Sequence, residues 1–236
     1  MLKFVGTGSA FNTKPGNNSS FIRRQHSLLL IDCGGTVFCR LQELNLLDDL
    51  AHLHIIITHT HPDHIGSLGD IIFYAFYTLH LKPVILFPER ELLTNLLEYL
   101  GVTASMYELY SDVESSPDDW ALTGATLRFI RVPHVETIPA FGFIFKFEGK
   151  CFYYSGDANN IPGEIIEMFR KGELNWLYQD VSGIDYEGNV HLSLRKLVDL
   201  IPPELRNRVY CMHHDQSLDK EQVLSYGLNF VERYTV

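Results

Sequence analysis

The sequence predicts an α/β fold in which short strands alternate with amphipathic helices. The chain has 236 residues, which suits one large α/β domain. Its 46% hydrophobic and 20% charged residues are typical of globular proteins rather than disordered chains. Short apolar runs such as residues 53–57 alternate with segments of helical periodicity such as residues 36–47. Because no repeat or linker interrupts this alternation, we expect residues 1–236 to form one domain.

In the first half of the chain, strands are expected where short apolar runs are bounded by polar residues. These runs are residues 2–6, 27–32, 53–57, 83–87 and 106–110. The first two flank a loop at residues 12–19, which is rich in Asn, Gly and Ser. Helices are expected where apolar side chains recur on one face, at residues 36–47, 66–80 and 89–100.

In the second half, a strand at residues 125–132 precedes a hairpin. The hairpin joins residues 141–147 to residues 150–154 through the turn dipeptide Glu148-Gly149. Residues 115–119 form a turn-rich connection before these strands. The remaining elements are expected to alternate as helix, strand, helix and strand, at residues 163–171, 174–179, 193–200 and 207–212.

Charge and composition narrow the classes of partner. The formal net charge is −10, and Lys and Arg are scattered rather than gathered in a stripe. A chain that grips a long polyanion usually carries a basic surface, so we expect a small anionic substrate and no stable nucleic-acid complex. No apolar stretch approaches the roughly 20 residues of a membrane span, and the first residues resemble a strand rather than a signal peptide. We therefore expect a cytoplasmic protein.

The spacing of the four cysteines also fits a cytoplasmic protein. They are Cys33, Cys39, Cys151 and Cys211, and they contain no Cys-x-x-Cys pair. In a reducing compartment such residues are buried thiols more often than disulfides. Cys33 and Cys151 lie near the polar motifs described below, so a ligand role remains an alternative for these two residues.

Residues 59–64 are the richest chemical motif of the chain, reading His-Thr-His-Pro-Asp-His. Four potential metal ligands occur within six residues, directly after the apolar strand at residues 53–57. Pro62 is suited to the first turn of a helix, so the motif crosses from a strand end into a helix. Imidazole nitrogen and carboxylate oxygen suit zinc and similar divalent ions. The alternative is a solvated polar loop, which would leave these groups crowded together without a cation.

The arrangement His59-x-His61-x-Asp63-His64 resembles the signature of the metallo-β-lactamase superfamily of metallohydrolases. The resemblance implies an αββα sandwich, with two mixed β-sheets flanked by helices and one or two metals between the sheet edges. Five weaker matches follow in family order along the chain. They are Phe4 to Ser9, Asp32-Cys33-Gly34, Val132-Pro133-His134, Ser155-Gly156-Asp157 and Val209 to His213.

The resemblance also implies two sets of ligands. One metal would be held by His59, His61 and His134, the other by Asp63, His64 and His213, and Asp157 would bridge them. Because all these ligands are present, two metal ions per chain are favoured over one. Zinc, as Zn²⁺, is the first expectation from this donor set, and manganese, iron or cobalt remain open. The last ligand is His213 or His214, and His213 is favoured because it directly follows the strand.

A further segment resembles the ribonuclease Z branch of the superfamily. The residues Gln179-Asp180-Val181-Ser182 match the place of its His-Glu-Ala-Thr motif, and His191-Leu192-Ser193 matches the segment with its catalytic His. The resemblance implies that Asp180 orients His191, which donates a proton to the leaving oxygen. Asp in place of Glu shortens the reach by one methylene. The alternative for His191 is a polar residue that flanks a helix.

The substrate expectation comes from one departure from ribonuclease Z and one further resemblance. The segment between His134 and Asp157 is short and already used by the hairpin, so no tRNA-gripping arm fits. The Gly-Ser-Ala-Phe-Asn opening, the Gln-Asp-Val-Ser segment and the compact length resemble the anti-Pycsar cyclic-nucleotide phosphodiesterases. That resemblance implies a homodimer that hydrolyses 3′,5′-cyclic mononucleotides to linear nucleotides through a metal-bridging hydroxide. Asp63, Asp180 and His191 would be its catalytic residues.

Other functions remain open from the sequence. A ribonuclease Z-like endonuclease would act on RNA 3′ ends with the same metals, and a compact nuclease or phosphonate-pathway phosphodiesterase on another ester. A lactamase or lactonase would attack a carbonyl, against which the Asp180 and His191 pair argues. A binding protein of this fold would be expected to lose ligands, and none is missing. The Gly-Thr-Gly-Ser turn after the first strand lacks the spacing of a nucleotide-binding fingerprint.

Overall fold

The computed structural model describes residues 2–116 and 122–235, which form two β-sheets flanked by helices. The first sheet has six strands in the order of the chain. β1, β2 and β3 pair antiparallel, and β4, β5 and β6 then extend the sheet in parallel. These strands are β1 Lys3–Gly6, β2 Ser19–Arg24, β3 Ser27–Ile31, β4 His52–Ile56, β5 Val84–Leu86 and β6 Glu108–Tyr110.

The second sheet has seven strands and repeats the same plan, an antiparallel meander followed by parallel strands. β7 to β10 pair antiparallel, and β10 to β13 pair in parallel. These strands are β7 Glu114–Ser115, β8 Thr126–Arg131, β9 Phe141–Phe147, β10 Lys150–Tyr154, β11 Trp176–Asp180, β12 Val209–Met212 and β13 Asn229–Phe230.

Helices make the crossovers between parallel strands. In the first sheet they are α1 Val37–Glu43, α2 Pro62–Ile65, α3 Leu68–Tyr77 and α4 Arg90–Tyr99. In the second they are α5 Gly163–Arg170, α6 Leu194–Leu200, a 3-10 helix Pro203–Arg208 and α7 Lys220–Ser225. Parallel strands require such crossovers, and the helices cover the outer faces of the sheets. No helix within residues 2–116 or 122–235 has the length and apolarity to cross a bilayer.

The core lies in layers that follow the two-residue period of the strands. On β9, Phe143 and Phe145 belong to the apolar cluster shared with the first sheet. Ile144, between them, belongs to the cluster packed against the helices of the second half. The chain therefore forms the four layers of an αββα sandwich, as the sequence predicted.

Most expected elements are present, with shifted ends. The hairpin forms around Glu148-Gly149, where both residues have positive φ, and Pro62 begins α2. The helix expected at residues 36–47 ends at Glu43, and the helix expected at residues 66–80 is Leu68–Tyr77. Residues 117–119 of the expected turn-rich connection lie outside the described residues.

Within residues 2–116 and 122–235, five elements were not predicted from the sequence: β2, β7, the 3-10 helix, α7 and β13. β2 was missed, and its first residue, Ser19, was assigned to a loop. Its Ser-Ser-Phe-Ile-Arg-Arg sequence has two apolar residues and no alternation. It is a strand because β1 and β3 supply hydrogen-bonding partners along both of its edges.

Candidate metal centre

The candidate ligands meet where the two sheets present the carboxyl ends of their parallel strands. His59 and His61 lie on the loop after β4, while Asp63 and His64 lie on the first turn of α2. The turn closes by hydrogen bonds from the His64 and Ile65 amides to the His61 carbonyl. Pro62 fits here because its missing amide hydrogen would have no partner in a first turn. The local sequence thus points four donor side chains toward one edge.

The first group of candidate ligands consists of His59, His61, His134 and Asp157, whose donor atoms all lie within 4.8 Å of one another. His61 Nδ1 lies 3.0 Å from His59 Nε2 and 3.2 Å from His134 Nε2. Asp157 Oδ2 lies 3.7 Å from His59 Nε2 and 3.8 Å from His134 Nε2. His134 comes from the segment after β8, so the second sheet supplies two of these residues.

The second group consists of Asp63, His64, His213 and Asp157, and all four residues are buried. His213 Nε2 lies 3.2 Å from Asp63 Oδ2 and 3.4 Å from His64 Nε2. Asp157 Oδ1 lies 3.2 Å from His64 Nε2. His213 directly follows β12 and has a φ of 58°, the left-handed conformation that turns its imidazole toward the first sheet.

Asp157 belongs to both groups through different oxygens. Oδ2 faces His59 and His134, and Oδ1 faces His64 and His213. Such an arrangement suits a carboxylate that bridges two cations. The backbone before it is tightly placed, because Gly156 has a φ of 58° and an added Cβ would lie 2.7 Å from the Phe141 carbonyl oxygen.

Two observations indicate that this donor set fits divalent metal ions. Asp157 Oδ1 is buried and, among the described residues, makes no hydrogen bond despite its proximity to His64. A buried carboxylate oxygen without a donor is costly unless a cation compensates it. The spacings of 3.0–3.4 Å between imidazole nitrogens also match a tetrahedral zinc shell. Bond lengths of about 2.0–2.1 Å place neighbouring nitrogens about 3.4 Å apart.

Charges in the second group are balanced by protons on imidazole rings. Burial lowers the pKa of His213, but Asp157 and a hydrogen bond to Asp180 outweigh it and raise that pKa to about 10. Burial raises the pKa of Asp63, but hydrogen bonds from His213 and His64 outweigh it, and the net pKa is lowered. The carboxylates therefore recruit protons that a divalent cation would displace on binding.

In the first group, the pKa values of His59 and His61 are lowered rather than raised. Burial, reinforced by the neighbouring imidazoles His64 and His134, lowers the pKa of His59 well below its ordinary value. Burial and His134 likewise lower the pKa of His61. Neutral imidazole is the form that binds a metal ion, so these rings are already in the ligating state at neutral pH.

Asp32 holds the second group in place, a role that its sequence context alone did not indicate. Its Oδ2 lies 2.9 Å from His64 Nδ1 and accepts a hydrogen bond from Thr58 Oγ1 at 2.8 Å. Its Oδ1 accepts one from the Thr58 amide at 2.8 Å. A carboxylate on the far nitrogen fixes which ring nitrogen faces the centre. The only sequence signal was the Asp-Cys-Gly segment at the end of β3.

Asp180 and His191 form a pair beside the second group. His191 Nδ1 lies 2.6 Å from Asp180 Oδ2, and Asp180 Oδ1 lies 3.3 Å from His213 Nδ1. Burial lowers the pKa of His191, but the charge and hydrogen bond of Asp180 outweigh it and raise that pKa. Asp157, Asp180, His191 and His213 also form a third group that could hold a metal ion. Asp180 is fully buried, whereas His191 is partly exposed.

His213 and His214 differ sharply in position. His214 Nε2 lies 2.8 Å from the Cys211 carbonyl oxygen, and its ring stacks on Phe230 at 3.7 Å. Among the described residues, His214 belongs to none of the three groups, whereas its neighbour His213 belongs to two of them. The structure therefore brings His213, the favoured alternative, to the candidate centre and turns His214 away.

A cavity of about 610 Å³ opens onto the centre. Its floor includes candidate ligands from both groups and His191. The remaining wall is largely apolar and includes Ala10, Phe11, Val135 and Val190, together with Thr13 and Asn17. The cavity thus joins a polar floor to an apolar rim and has the volume of a small-molecule site.

The sequence model of the family described as Anti-Pycsar protein Apyc1 matches residues 1–236. The chain belongs to this family. A relative, the Anti-Pycsar protein Apyc1 of Paenibacillus harenae, is 28% identical over 247 aligned positions that cover 100% of this chain and 99% of the relative. The family therefore accounts for the whole length of the chain, including the segments that supply all the candidate ligands.

Solved structures agree on the fold. The metallo-β-lactamase fold protein YhfI of Bacillus subtilis aligns with a TM-score of 0.74 and 13% identity, covering 99% of this chain and 96% of that one. The short form of human tRNase Z aligns with a TM-score of 0.68 and 18% identity, covering 99% and 97%. The Apyc1 family membership, this fold and the clustered His and Asp side chains together support a metal-dependent hydrolase.

Proposed function

We propose that this protein is a binuclear metal-dependent phosphodiesterase that hydrolyses 3′,5′-cyclic mononucleotides to linear nucleotides. The observation that carries the proposal is the 2.6 Å contact of Asp180 with His191 at the edge of the candidate metal centre. A ribose oxygen is a poor leaving group that needs a proton, and a carboxylate-paired imidazole can supply it. The anti-Pycsar name of the family supports a cyclic nucleotide as the substrate.

Separate residues would hold the cations and orient the attacking water. Two bound divalent cations would neutralise the phosphate charge and lower the pKa of a water molecule. His59, His61 and His134 would hold one cation, and Asp63, His64 and His213 the other, with Asp157 shared. The ionised Asp63 carboxylate lines the cavity, where it can accept a hydrogen bond from the attacking water and orient it.

His191 moves the proton. Its Nδ1 is engaged by Asp180, which leaves Nε2 as the nitrogen that faces a substrate. The water oxygen bonds to phosphorus as the bond from phosphorus to one ribose oxygen breaks. That ribose oxygen takes the proton from Nε2, and the proton released by the water restores His191. Asp180 raises the pKa of His191, which favours the protonated ring that this transfer requires.

Three features favour a small substrate over RNA. The cavity of about 610 Å³ fits a mononucleotide rather than a helix. The segment from His134 to Asp157 is occupied by β9 and β10, so no long arm extends from it. The net charge of −10 would repel those parts of a polyanion that lie away from the bound cations. The likeness to human tRNase Z extends to the fold and adds no argument for a tRNA substrate.

The proposal includes zinc as the bound metal, a homodimer and a cytoplasmic location. The nitrogen and oxygen donors suit zinc, although manganese, iron and cobalt accept the same types of ligand. Cys33, Cys39, Cys151 and Cys211 are all free thiols, which supports a reducing compartment. Light scattering of the purified protein measures the oligomeric state directly.

A substrate panel tests the proposed function. Metal-loaded protein is assayed on cyclic mononucleotides, cyclic dinucleotides, precursor tRNA and a β-lactam, at several salt concentrations. We expect the highest kcat/KM on cyclic mononucleotides, with a shallow salt dependence because one phosphate displaces few counterions. The matched control is the Asp157→Ala variant, which should be inactive on every substrate. A higher kcat/KM on precursor tRNA at equal metal loading would replace this function by a ribonuclease activity.

A further inference from the structure

Phe11 has an exposed aromatic ring at the rim of the cavity. Its side chain is 92% exposed, and it lines the same cavity as the candidate ligands. Single exposed apolar residues are common on protein surfaces and need no function. Phe11 differs from these because its position at the cavity is held by its neighbours.

The loop that carries Phe11 is closed by hydrogen bonds. The Gly8 amide donates to the Gly16 carbonyl at 2.7 Å, and the Asn12 amide donates to the Ser9 carbonyl at 3.0 Å. The loop is tight, since a Cβ added to Gly8 would lie 2.0 Å from the Asn12 carbonyl oxygen. The backbone around Phe11 is therefore ordered independently of any contact made by its ring.

The same loop is tied to the residues after β12. Asn12 Nδ2 donates to the His214 carbonyl at 2.9 Å, and the Ser9 amide donates to that same oxygen at 3.1 Å. His214 directly follows His213, a candidate ligand of the second group. These bonds fix the loop backbone that carries Phe11 relative to the centre that would bind the phosphate.

The cavity rim offers few polar groups to a nucleobase. Among the described residues that line the cavity outside the ligand groups, Thr13 and Asn17 alone have polar side chains. Asn17 Oδ1 is already engaged, since it accepts a hydrogen bond from the Thr36 amide at 3.0 Å. The other lining side chains are apolar, including Val135 and Val190. The rim therefore presents more apolar surface to the face of a base than polar side chains to its hydrogen-bonding edge.

We propose that Phe11 is a substrate-binding residue that stacks on the base of the cyclic nucleotide and contributes affinity through the face of its ring. The inference rests on the proposed function, because a base is present only when the substrate is a nucleotide. Every base has a π-face, so stacking on an aromatic side chain contributes affinity without selecting a sequence. The metal centre would take the phosphate while Phe11 takes the base.

Kinetics of Phe11→Ala test this assignment. We expect KM to rise about 5- to 100-fold for the adenosine, guanosine, cytidine and uridine cyclic monophosphates, the range set by loss of one base stack. The value of kcat should change little, since stacking is equal in the ground and transition states. Ribose 3′,5′-cyclic phosphate, which lacks a base, should be hydrolysed equally by both proteins.

Matched variants distinguish stacking on an aromatic ring from a contribution of side-chain size alone. Phe11→Trp should keep the low KM, whereas Phe11→Leu, which is apolar but has no π-face, should behave like Phe11→Ala. Tyr99→Ala is the control, because Tyr99 is also 92% exposed and lines a neighbouring groove rather than this cavity. Its kinetics should equal those of the wild type. An unchanged KM in Phe11→Ala, or full activity with Phe11→Leu, would overturn the inference.

A fluorescence measurement keeps this inference separate from the proposed function. The cyclic monophosphate of 2-aminopurine riboside loses fluorescence when its base stacks, so rapid mixing reports stacking without turnover. Quenching by the wild type and not by Phe11→Leu supports the stack even if no cyclic nucleotide is hydrolysed. Hydrolysis without Phe11-dependent quenching leaves the proposed function standing and removes the role of Phe11.

Discussion

Asp32 Oδ2 and His64 Nδ1 lie 2.9 Å apart in the interior, and this contact directs His64 Nε2 toward Asp157 and His213. Asp32 has a φ of 58° at the end of β3, an uncommon backbone conformation for a residue other than Gly. Two hydrogen bonds from Thr58 hold its carboxylate in that position. A side chain outside the ligand groups thus determines the orientation of one within them.

The Asp32→Asn variant should weaken metal binding. The Asn amide would donate to His64 Nδ1 and move the ring proton to Nε2, which then cannot bind a cation. Loss of such a supporting carboxylate typically lowers metal affinity about 10- to 100-fold. Calorimetric titration with Zn²⁺ measures the change, and Asp70→Asn, at an exposed position on α3, is the control. Equal affinities in the two variants would contradict the role of Asp32.

The metal content of ligand variants should separate the two groups. Protein purified without chelator should hold about two metal ions per chain, as in two-metal sites with a shared ligand. His61→Ala and His213→Ala should each lose about one, whereas Asp157→Ala should lose both because its two oxygens face different groups. Elemental analysis measures this, with the exposed His80→Ala as the control. Retention of both ions by Asp157→Ala would rule out a shared carboxylate.

The effect of His191→Ala should depend on the leaving group. Removal of a general acid lowers turnover by roughly 10²- to 10⁴-fold when the leaving oxygen needs a proton. A cyclic nucleotide should show this loss, and bis-p-nitrophenyl phosphate should show little, because nitrophenolate departs unprotonated. The metal content should equal that of the wild type. If both substrates slow by the same factor, His191 does not act as the acid.

Gly156→Ala should destabilise the protein and disturb Asp157. The residue has a φ of 58°, and the added Cβ would lie 2.7 Å from the Phe141 carbonyl oxygen and 2.9 Å from Thr58 Cβ. The left-handed backbone and the overpacking together should cost about 2–4 kcal/mol. Denaturant unfolding measures the change. Gly163→Ala, whose Cβ would meet no heavy atom within 4 Å, is the control and should lose no stability.

The local pattern of residues along the chain predicted the elements that have strong periodicity. The hairpin around Glu148-Gly149 and the start of α2 at Pro62 depend on neighbouring residues alone. β2 was missed because its sequence lacks alternation, and its strand form depends on pairing with both neighbours. A strand whose stability comes from its partners leaves a weak signal in its own residues.

The amino-acid sequence by itself determined the fold class and the chemical identity of the donors, because periodicity and ligand type are local properties. The family resemblance implied how the donors are grouped, but only the tertiary structure decided which atoms of these residues face one another. It turns His213 inward and His214 away, divides the two oxygens of Asp157 between the groups, and sets Asp32 behind His64. These relations join residues far apart in the chain, so they arise from the packing of one sheet against the other.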